Sequence, residues 1–64
     1  MDDLKIYETF VRGNINENEI IQIKIFTHKN IGENVIKQIN DMPLFQVEKL
    51  GKANGWQILK NNNQ

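Results

Sequence analysis

The sequence contains no cysteine, one proline, one histidine and one tryptophan among its 64 residues. Without cysteine there can be no disulfide, the covalent support that small secreted folds often use. A zinc site would have to rely on carboxylates, because there is no thiol and only one imidazole. We therefore predict no metal and no cofactor, and expect the domain to depend on an efficient core or on self-association.

The sequence also lacks a charge excess and a long apolar run. Eight basic and eight acidic side chains give no formal net charge at pH 7, whereas domains that bind phosphates are usually basic. No apolar run exceeds three residues, far less than a membrane span needs. The opening Met1-Asp2-Asp3 has neither the basic start nor the apolar stretch of a secretory signal. These features predict a cytoplasmic protein without a membrane partner.

Residue usage is skewed toward asparagine, isoleucine and lysine, which occur ten, ten and seven times. Such usage is typical of AT-rich coding sequence. We interpret the source as a low-GC bacterium, its phage or a mobile element, and draw no chemistry from it.

The first 27 residues predict an antiparallel β-hairpin. Apolar, aromatic and β-branched residues fill Leu4 to Val11, and turn-forming residues follow at 13–18. Apolar and polar residues then alternate from Glu19 to Thr27, as in a strand with one buried face. We expect the buried faces of the two strands to carry Leu4, Ile6, Phe10, Ile21, Ile23 and Ile25.

A helix is predicted next, because the spacing of apolar residues within 35–42 changes to the helical period. Two helix starts fit the sequence: a capping box at 30–33, or Gly32 itself. Pro43 prevents the helix from continuing. We therefore predict a helix from near Ile31 to near Asp41.

The rest of the chain predicts a second hairpin. Phe45 to Leu50 has strand character, and Trp56 to Lys60 supplies the return strand. Asn54-Gly55 between them fits a type I′ turn, since both residue types accept positive φ angles. Residues 61–64 form a polar tail that we expect to be frayed.

These elements predict a single α+β domain over residues 1–60. Its order is ββαββ, a two-layer sandwich with one helix packed on a four-stranded, mainly antiparallel sheet. The predicted core comprises Ile6, Ile21, Ile23, Ile25, Val35, Ile36, Ile39, Phe45, Val47 and Ile58.

The segment from Ile21 to Lys60 combines a strand, a helix and a hairpin and ends in Gly-Trp-Gln-Ile-Leu-Lys. In this pattern it resembles the second half of the TusA-like sulfur carriers, which also end with a helix and a glycine-turned strand pair. The reactive Cys-Pro motif of those carriers has no counterpart in this sequence. The resemblance therefore concerns the order of elements and assigns sulfur transfer to no residue.

The sheet face opposite the predicted core is the first candidate functional surface. Its apolar side chains exceed what a solvated face needs, and contiguous apolar patches mark partner sites. The alternative is that they are isolated apolar residues, which are normal on protein surfaces. We interpret this face as a protein interface used for self-association. The candidate interface residues are Tyr7, Val11, Ile20, Phe26 and Leu59.

The predicted C-terminal hairpin is the second candidate surface. Lysines surround a tryptophan there, and such a ribbon can stack a base and contact phosphates. The neutral net charge argues against nucleic acid, and a tryptophan in a core-facing register would simply belong to the core. The candidate nucleic-acid contacts are Lys49, Lys52, Trp56 and Lys60.

No residue pattern predicts catalysis. His28 is the only histidine and so the only candidate for an imidazole base or ligand, and no nucleophile pattern accompanies it. Paired carboxylates would need a shared cleft, for which a domain of this size has little room. The sequence thus predicts a non-enzymatic binding protein, regulatory or accessory, that forms a homodimer or binds a protein partner. Nucleic-acid binding is the alternative, and an accessory subunit of a larger enzyme would have the same features.

Overall fold

The first two strands pair as the sequence predicts. In the computed structural model, which describes residues 3–61, β1 (Lys5–Arg12) and β2 (Ile20–Thr27) are antiparallel neighbours. Their connection closes where the Gly13 N–H donates to the Glu19 carbonyl over 3.0 Å. The predicted hairpin is therefore confirmed.

Helix α1 (Glu33–Ile39) follows β2 within the predicted span. Gly32 is its N-cap, with no side-chain capping bond, so the helix begins at the second of the two predicted starts. The capping box at 30–33 is not formed. The helix ends at Asn40, three residues before the proline.

The segment predicted as the third strand is a second helix, α2 (Leu44–Asn54). It begins directly after Pro43, which is its N-cap. The φ of −70° at Pro43 fits a helix start, and no hydrogen bond of the helix requires an N–H at this position. Its buried residues recur at the i, i+3, i+7 spacing of one helical face. They are Leu44, Val47 and Gly51.

The start of α2 is bound to the β1–β2 hairpin. No side chain of its own caps the helix, and instead the Phe45 N–H donates to Asn14 Oδ1 over 2.7 Å. The Arg12 N–H donates to the Met42 carbonyl over 2.8 Å just before the helix. A long-range contact thus satisfies a helix terminus that local sequence leaves uncapped.

Asn54-Gly55 ends α2 instead of turning a hairpin. Gly55 has φ 77° and ψ 22°, the left-handed conformation that either structure requires. The Trp56 N–H donates to the Gly51 carbonyl over 2.8 Å, closing the helix end in the manner of a Schellman motif. The chain then enters β3 (Gln57–Lys60).

The three strands form one antiparallel sheet in the order β1-β2-β3, with both helices on one of its faces. The α+β class is confirmed, whereas the predicted four strands and single helix are wrong, since the order is ββααβ. The strand–helix–hairpin pattern shared with the TusA-like carriers is therefore not formed.

The side of β1 that faces the helices is opposite to the predicted one. Tyr7, Thr9 and Val11 lie across from the core isoleucines of β2, and Val11 is only 1% exposed. We call the sheet face that packs against the two helices the inner face. The residues predicted to face inward are instead more than half exposed: Leu4, Ile6 and Phe10.

Hydrogen bonds from both ends of α1 hold the inner face of β1. Before the helix, the Ile31 N–H donates to the Tyr7 hydroxyl over 3.0 Å. After it, Asn40 Nδ2 donates to Thr9 Oγ1 over 2.6 Å and to the Phe10 carbonyl over 2.7 Å. These bonds satisfy hydroxyl groups whose burial would otherwise be costly.

The core lies between the inner face and the two helices, and buried residues come from β1, β2 and both helices. Of the predicted core, Ile6 and Phe45 are wrong, since they are 56% and 48% exposed. Ile21, Val35, Ile36 and Ile58 are partly buried against the core. The buried hydrophobic residues are Val11, Ile23, Ile25, Ile39, Leu44 and Val47.

Only the first residue of the predicted polar tail is described. The Asn61 N–H donates to the Gln22 carbonyl over 2.9 Å, which extends the pairing of β3 with β2 by one residue. Residues 62–64 lie outside the described residues.

Replacing Gly55 by alanine tests the left-handed helix end. A Cβ disfavours a φ of 77°, so we expect Gly55→Ala to lower the free energy of unfolding by about 1 kcal/mol in urea denaturation. Gly32→Ala is the matched control, because its φ is −69° and an added Cβ meets nothing within 4 Å. It should change the free energy of unfolding by less than about 0.5 kcal/mol, because the loss from a poorer N-cap is offset by the lower conformational entropy of the unfolded chain. Equal losses in the two variants would contradict the assigned conformation.

Candidate protein-binding surfaces

The sheet face turned away from both helices is the first candidate surface. The cross-strand register determines which side chains it carries, because directly paired residues share a face. We call it the outer face, and it consists of Ile6, Glu8, Phe10, Arg12, Ile20, Gln22, Lys24, Phe26, Gln57 and Leu59.

Apolar residues form two clusters on the outer face. At one end Ile6 lies directly opposite Phe26, and Leu59 is the diagonal neighbour of Phe26. At the other end Phe10 is the diagonal neighbour of Ile20. All except Phe26 are more than half exposed. The two clusters therefore present apolar surface to whatever lies against the sheet.

An ion pair separates the two clusters. Lys24 Nζ lies 3.7 Å from Glu8 Oε2, and the two side chains are 48% and 58% exposed. A pair this exposed contributes little to folding stability. Its consequence for binding is that the centre of the outer face carries a positive and a negative charge side by side, while Arg12 at the end of β1 pairs with Asp41.

The outer face holds part of the predicted interface. Tyr7 and Val11 are wrong as outer-face residues, because β1 turns both toward the helices. Ile6 and Phe10 take their places on the outer face. Their shared face also carries Glu8 and Arg12, but this charge does not by itself assign the exposed face, because Lys5 places a charge on the other face too. The predicted residues that do lie on it are Ile20, Phe26 and Leu59.

A groove of about 430 Å³ between α2 and β3 is the second candidate surface. Lys49 Nζ lies 5.8 Å from the centroid of the Phe45 ring, within cation–π range. We call this the α2–β3 groove. Its lining residues are Phe45, Glu48, Lys49, Lys52, Trp56, Gln57 and Ile58.

Most of the predicted nucleic-acid contacts meet in this groove, although no hairpin is present. Lys49, Lys52 and Trp56 line it, with both lysines on a helix instead of a strand. Lys60 lies further along β3 and is not part of the lining. Glu48 stands beside the lysines, and Trp56 is partly buried against the core. The groove is thus less basic than the sequence alone indicates.

The outer edge of β3 borders the α2–β3 groove. Because the Asn61 N–H donates to β2, strand alternation directs the N–H and C=O groups of Ile58 and Lys60 away from β2. The hydrogen bonds among residues 3–61 include none to these outward groups. One wall of the groove is therefore an open strand edge, and the other is a helix.

The part of the chain that the structure describes shows neither a metal-binding cluster nor a membrane-spanning helix. Residues 3–61 contain no cluster of three acidic or histidine side chains able to hold a metal ion. Within the same range, neither helix is long and apolar enough to cross a membrane. His28 lies exposed in the bend after β2.

No family model, curated protein or solved structure matches this chain. Its function must therefore be inferred from the outer face and the α2–β3 groove.

Alanine substitutions at neighbouring positions of β1 test the assignment of its two faces. Val11 is 1% exposed, so Val11→Ala leaves a cavity and should lower the free energy of unfolding by about 2 kcal/mol. Phe10 is 52% exposed, and Phe10→Ala should change it by less than about 1 kcal/mol. Both are measured by urea denaturation at protein concentrations where the chain is monomeric. A larger loss for Phe10→Ala would mean that the strand is turned the other way.

Proposed function

We propose that this chain is a small, non-enzymatic, cytoplasmic binding protein that forms a homodimer through its outer face and acts on a protein partner as an accessory or regulatory protein. The observation that carries the proposal is the outer face itself. It has two exposed apolar clusters on either side of an ion pair, and neither helix covers it. The absence of cysteine supports the cytoplasmic location.

The apolar area of the outer face is large enough for a dimer. Three apolar residues of β1 and β2 on this face are more than half exposed, and at roughly 100 Å² each they offer about 300 Å² per copy. Burying about 600 Å² in a dimer at about 25 cal/mol per Å² contributes on the order of 15 kcal/mol. Association costs on the order of 4–15 kcal/mol. The apolar contribution is therefore sufficient for a dimer, and the affinity depends on fit.

The charges of the outer face favour a second copy as its occupant. Consider a two-fold axis that runs along the strands between β1 and β2, so that two sheets pack with aligned strands. The register then sets Glu8 of one copy against Lys24 of the other, and Ile6 against Phe26. Symmetry forms each contact twice. Each of the two charges then gains a partner across the interface in addition to its neighbour in the same sheet, which an uncharged apolar partner would not supply.

Charge reversal tests this arrangement. We expect Glu8→Lys and Lys24→Glu each to weaken the dimer by about tenfold or more, because each sets like charges against one another across the interface. Mixing the two variants should restore association, since the introduced lysine of one then faces the introduced glutamate of the other. Sedimentation velocity measures both effects. Repairing an ion pair within one chain cannot produce the recovery, because each variant still lacks its internal pair.

The matched control is a second oppositely charged pair on an exposed surface away from the sheet. Glu33→Lys and Lys37→Glu reverse exposed charges on α1 and should leave the dimer unchanged. An unsubstituted protein that remains monomeric at high micromolar concentration would overturn self-association. Equal weakening by the α1 reversals would assign the effect to net charge instead of the interface.

A further inference from the structure

We propose that the α2–β3 groove binds an extended acidic peptide, which adds to the sheet as a fourth strand beside β3. This inference rests on the proposed role as a protein-binding module and names the chemistry of the partner. It does not rest on the dimer, since the groove shares only Gln57 with the outer face. A dimer formed through the outer face leaves the groove free.

The open backbone of β3 supplies the first argument. Ile58 and Lys60 direct their N–H and C=O groups away from β2, and the hydrogen bonds among residues 3–61 leave these groups unused. Such an edge pairs with an extended peptide through main-chain hydrogen bonds, whatever the peptide's sequence. The strand itself is four residues long, so a short peptide segment is sufficient to cover it.

The helix beside this edge supplies the second argument. Phe45, Glu48, Lys49 and Lys52 recur at the i, i+3, i+4, i+7 spacing of one face of α2, and that face lines the groove. Helix and strand pack closely, and the absence of a Cβ at Gly51 permits this contact, since an added Cβ would lie only 2.8 Å from Ile58 Cδ1. The two walls of the groove are therefore packed directly on one another, and the helical wall stands beside the edge at which a strand would add.

The charges of the groove determine the kind of peptide. The helical wall carries two lysines and one glutamate, and Lys60 adds a further cation on the strand edge. This local excess stands out in a chain of zero net charge. Carboxylates at alternate positions of a bound strand can face the helix and pair with these ammonium groups. The residues between them face the other side of the sheet, where Leu59 of β3 is an exposed apolar neighbour. The complementary ligand is an extended peptide that alternates acidic and apolar residues.

Two features favour a peptide over a nucleic acid in this groove. Trp56 is partly buried against the core instead of being a free stacking platform. A single-stranded nucleic acid would also make no use of the open strand edge.

The fluorescence of Trp56 reports occupancy, because it is the only tryptophan in the chain and lines the groove. The probe is a blocked peptide of alternating glutamate and valine, and a lysine–valine peptide of equal length is the control. We expect a saturable change with the acidic peptide and at least about tenfold weaker binding of the basic one. Equal binding of both peptides, or none, would overturn the proposal.

N-methylation of the acidic peptide tests strand addition directly. Methylating alternate amides blocks one of the two hydrogen-bonding edges of an extended peptide. Of two peptides methylated at complementary positions, we expect one to lose binding by about tenfold or more and the other to retain it. If both peptides bind like the unmodified one, the peptide does not pair with β3.

Variants of the protein supply matching tests. Lys49→Glu combined with Lys52→Glu should weaken peptide binding by about tenfold or more, while Lys29→Glu combined with Lys37→Glu, at exposed positions outside the groove, should not. Lys60→Pro removes an outward N–H without removing a bond to β2. It should bind more weakly than Lys60→Ala, which loses only the charge. If the proline variant does not fold, the N-methylated peptides still show whether the peptide forms hydrogen bonds with the edge of β3.

Two further measurements separate the alternatives. An oligothymidylate that shifts the Trp56 signal at low salt, when the acidic peptide does not, would assign the groove to nucleic acid and overturn the peptide. Sedimentation of the groove variant with both lysines reversed should match that of the unsubstituted protein. A failure of peptide binding is thereby distinguished from a failure of the outer-face dimer.

Discussion

The attachment of α1 to the inner face of β1 is the interaction on which the rest of the structure depends. The Tyr7 hydroxyl and Thr9 Oγ1 accept hydrogen bonds from residues on either side of this short helix. Because β-strand side chains alternate, satisfying these two groups inside the sandwich also directs Val11 into the core. The same alternation turns Ile6 and Phe10 outward. An apolar outer face is thus the direct consequence of a polar attachment on the inner one.

The close packing of α2 on β3 is the second constraint, and it creates the groove. Gly51 lets the helix approach Ile58, and Gly55 reverses the chain so that β3 returns along the helix that precedes it. Residues 3–61 form three strands, so within this range β3 is an edge of the sheet, and its outward groups open beside the helix. A domain of this size has too little chain to cover both sheet faces and both edges. The outer face and the outward edge of β3 are surfaces that remain uncovered among residues 3–61.

The candidate surfaces were predictable in part from the sequence. Ile20, Phe26 and Leu59 belong to the outer face because β2 and β3 alternate clearly, and Lys49, Lys52 and Trp56 meet in one groove. The two faces of β1 could not be assigned from hydropathy, because each carries apolar residues. Pairing also decided where the open edge lies, since a strand has no free edge until its neighbours are known. The groove itself arises from long-range packing, which no local pattern encodes.

The sequence by itself determined the β1–β2 hairpin, a helix that ends before Pro43, and a left-handed residue at Gly55. In each case the signal is local: alternation, a missing donor, or the absence of a Cβ. Tertiary structure alone decided that residues 44–54 form a helix and that β1 turns Tyr7 inward. A short apolar segment after a proline fits a strand or a helix almost equally, and burial of Leu44, Val47 and Gly51 on one helical face decides between them. The hydroxyl partners of Tyr7 and Thr9 lie 24 and 31 residues away in the chain, beyond the reach of any local signal.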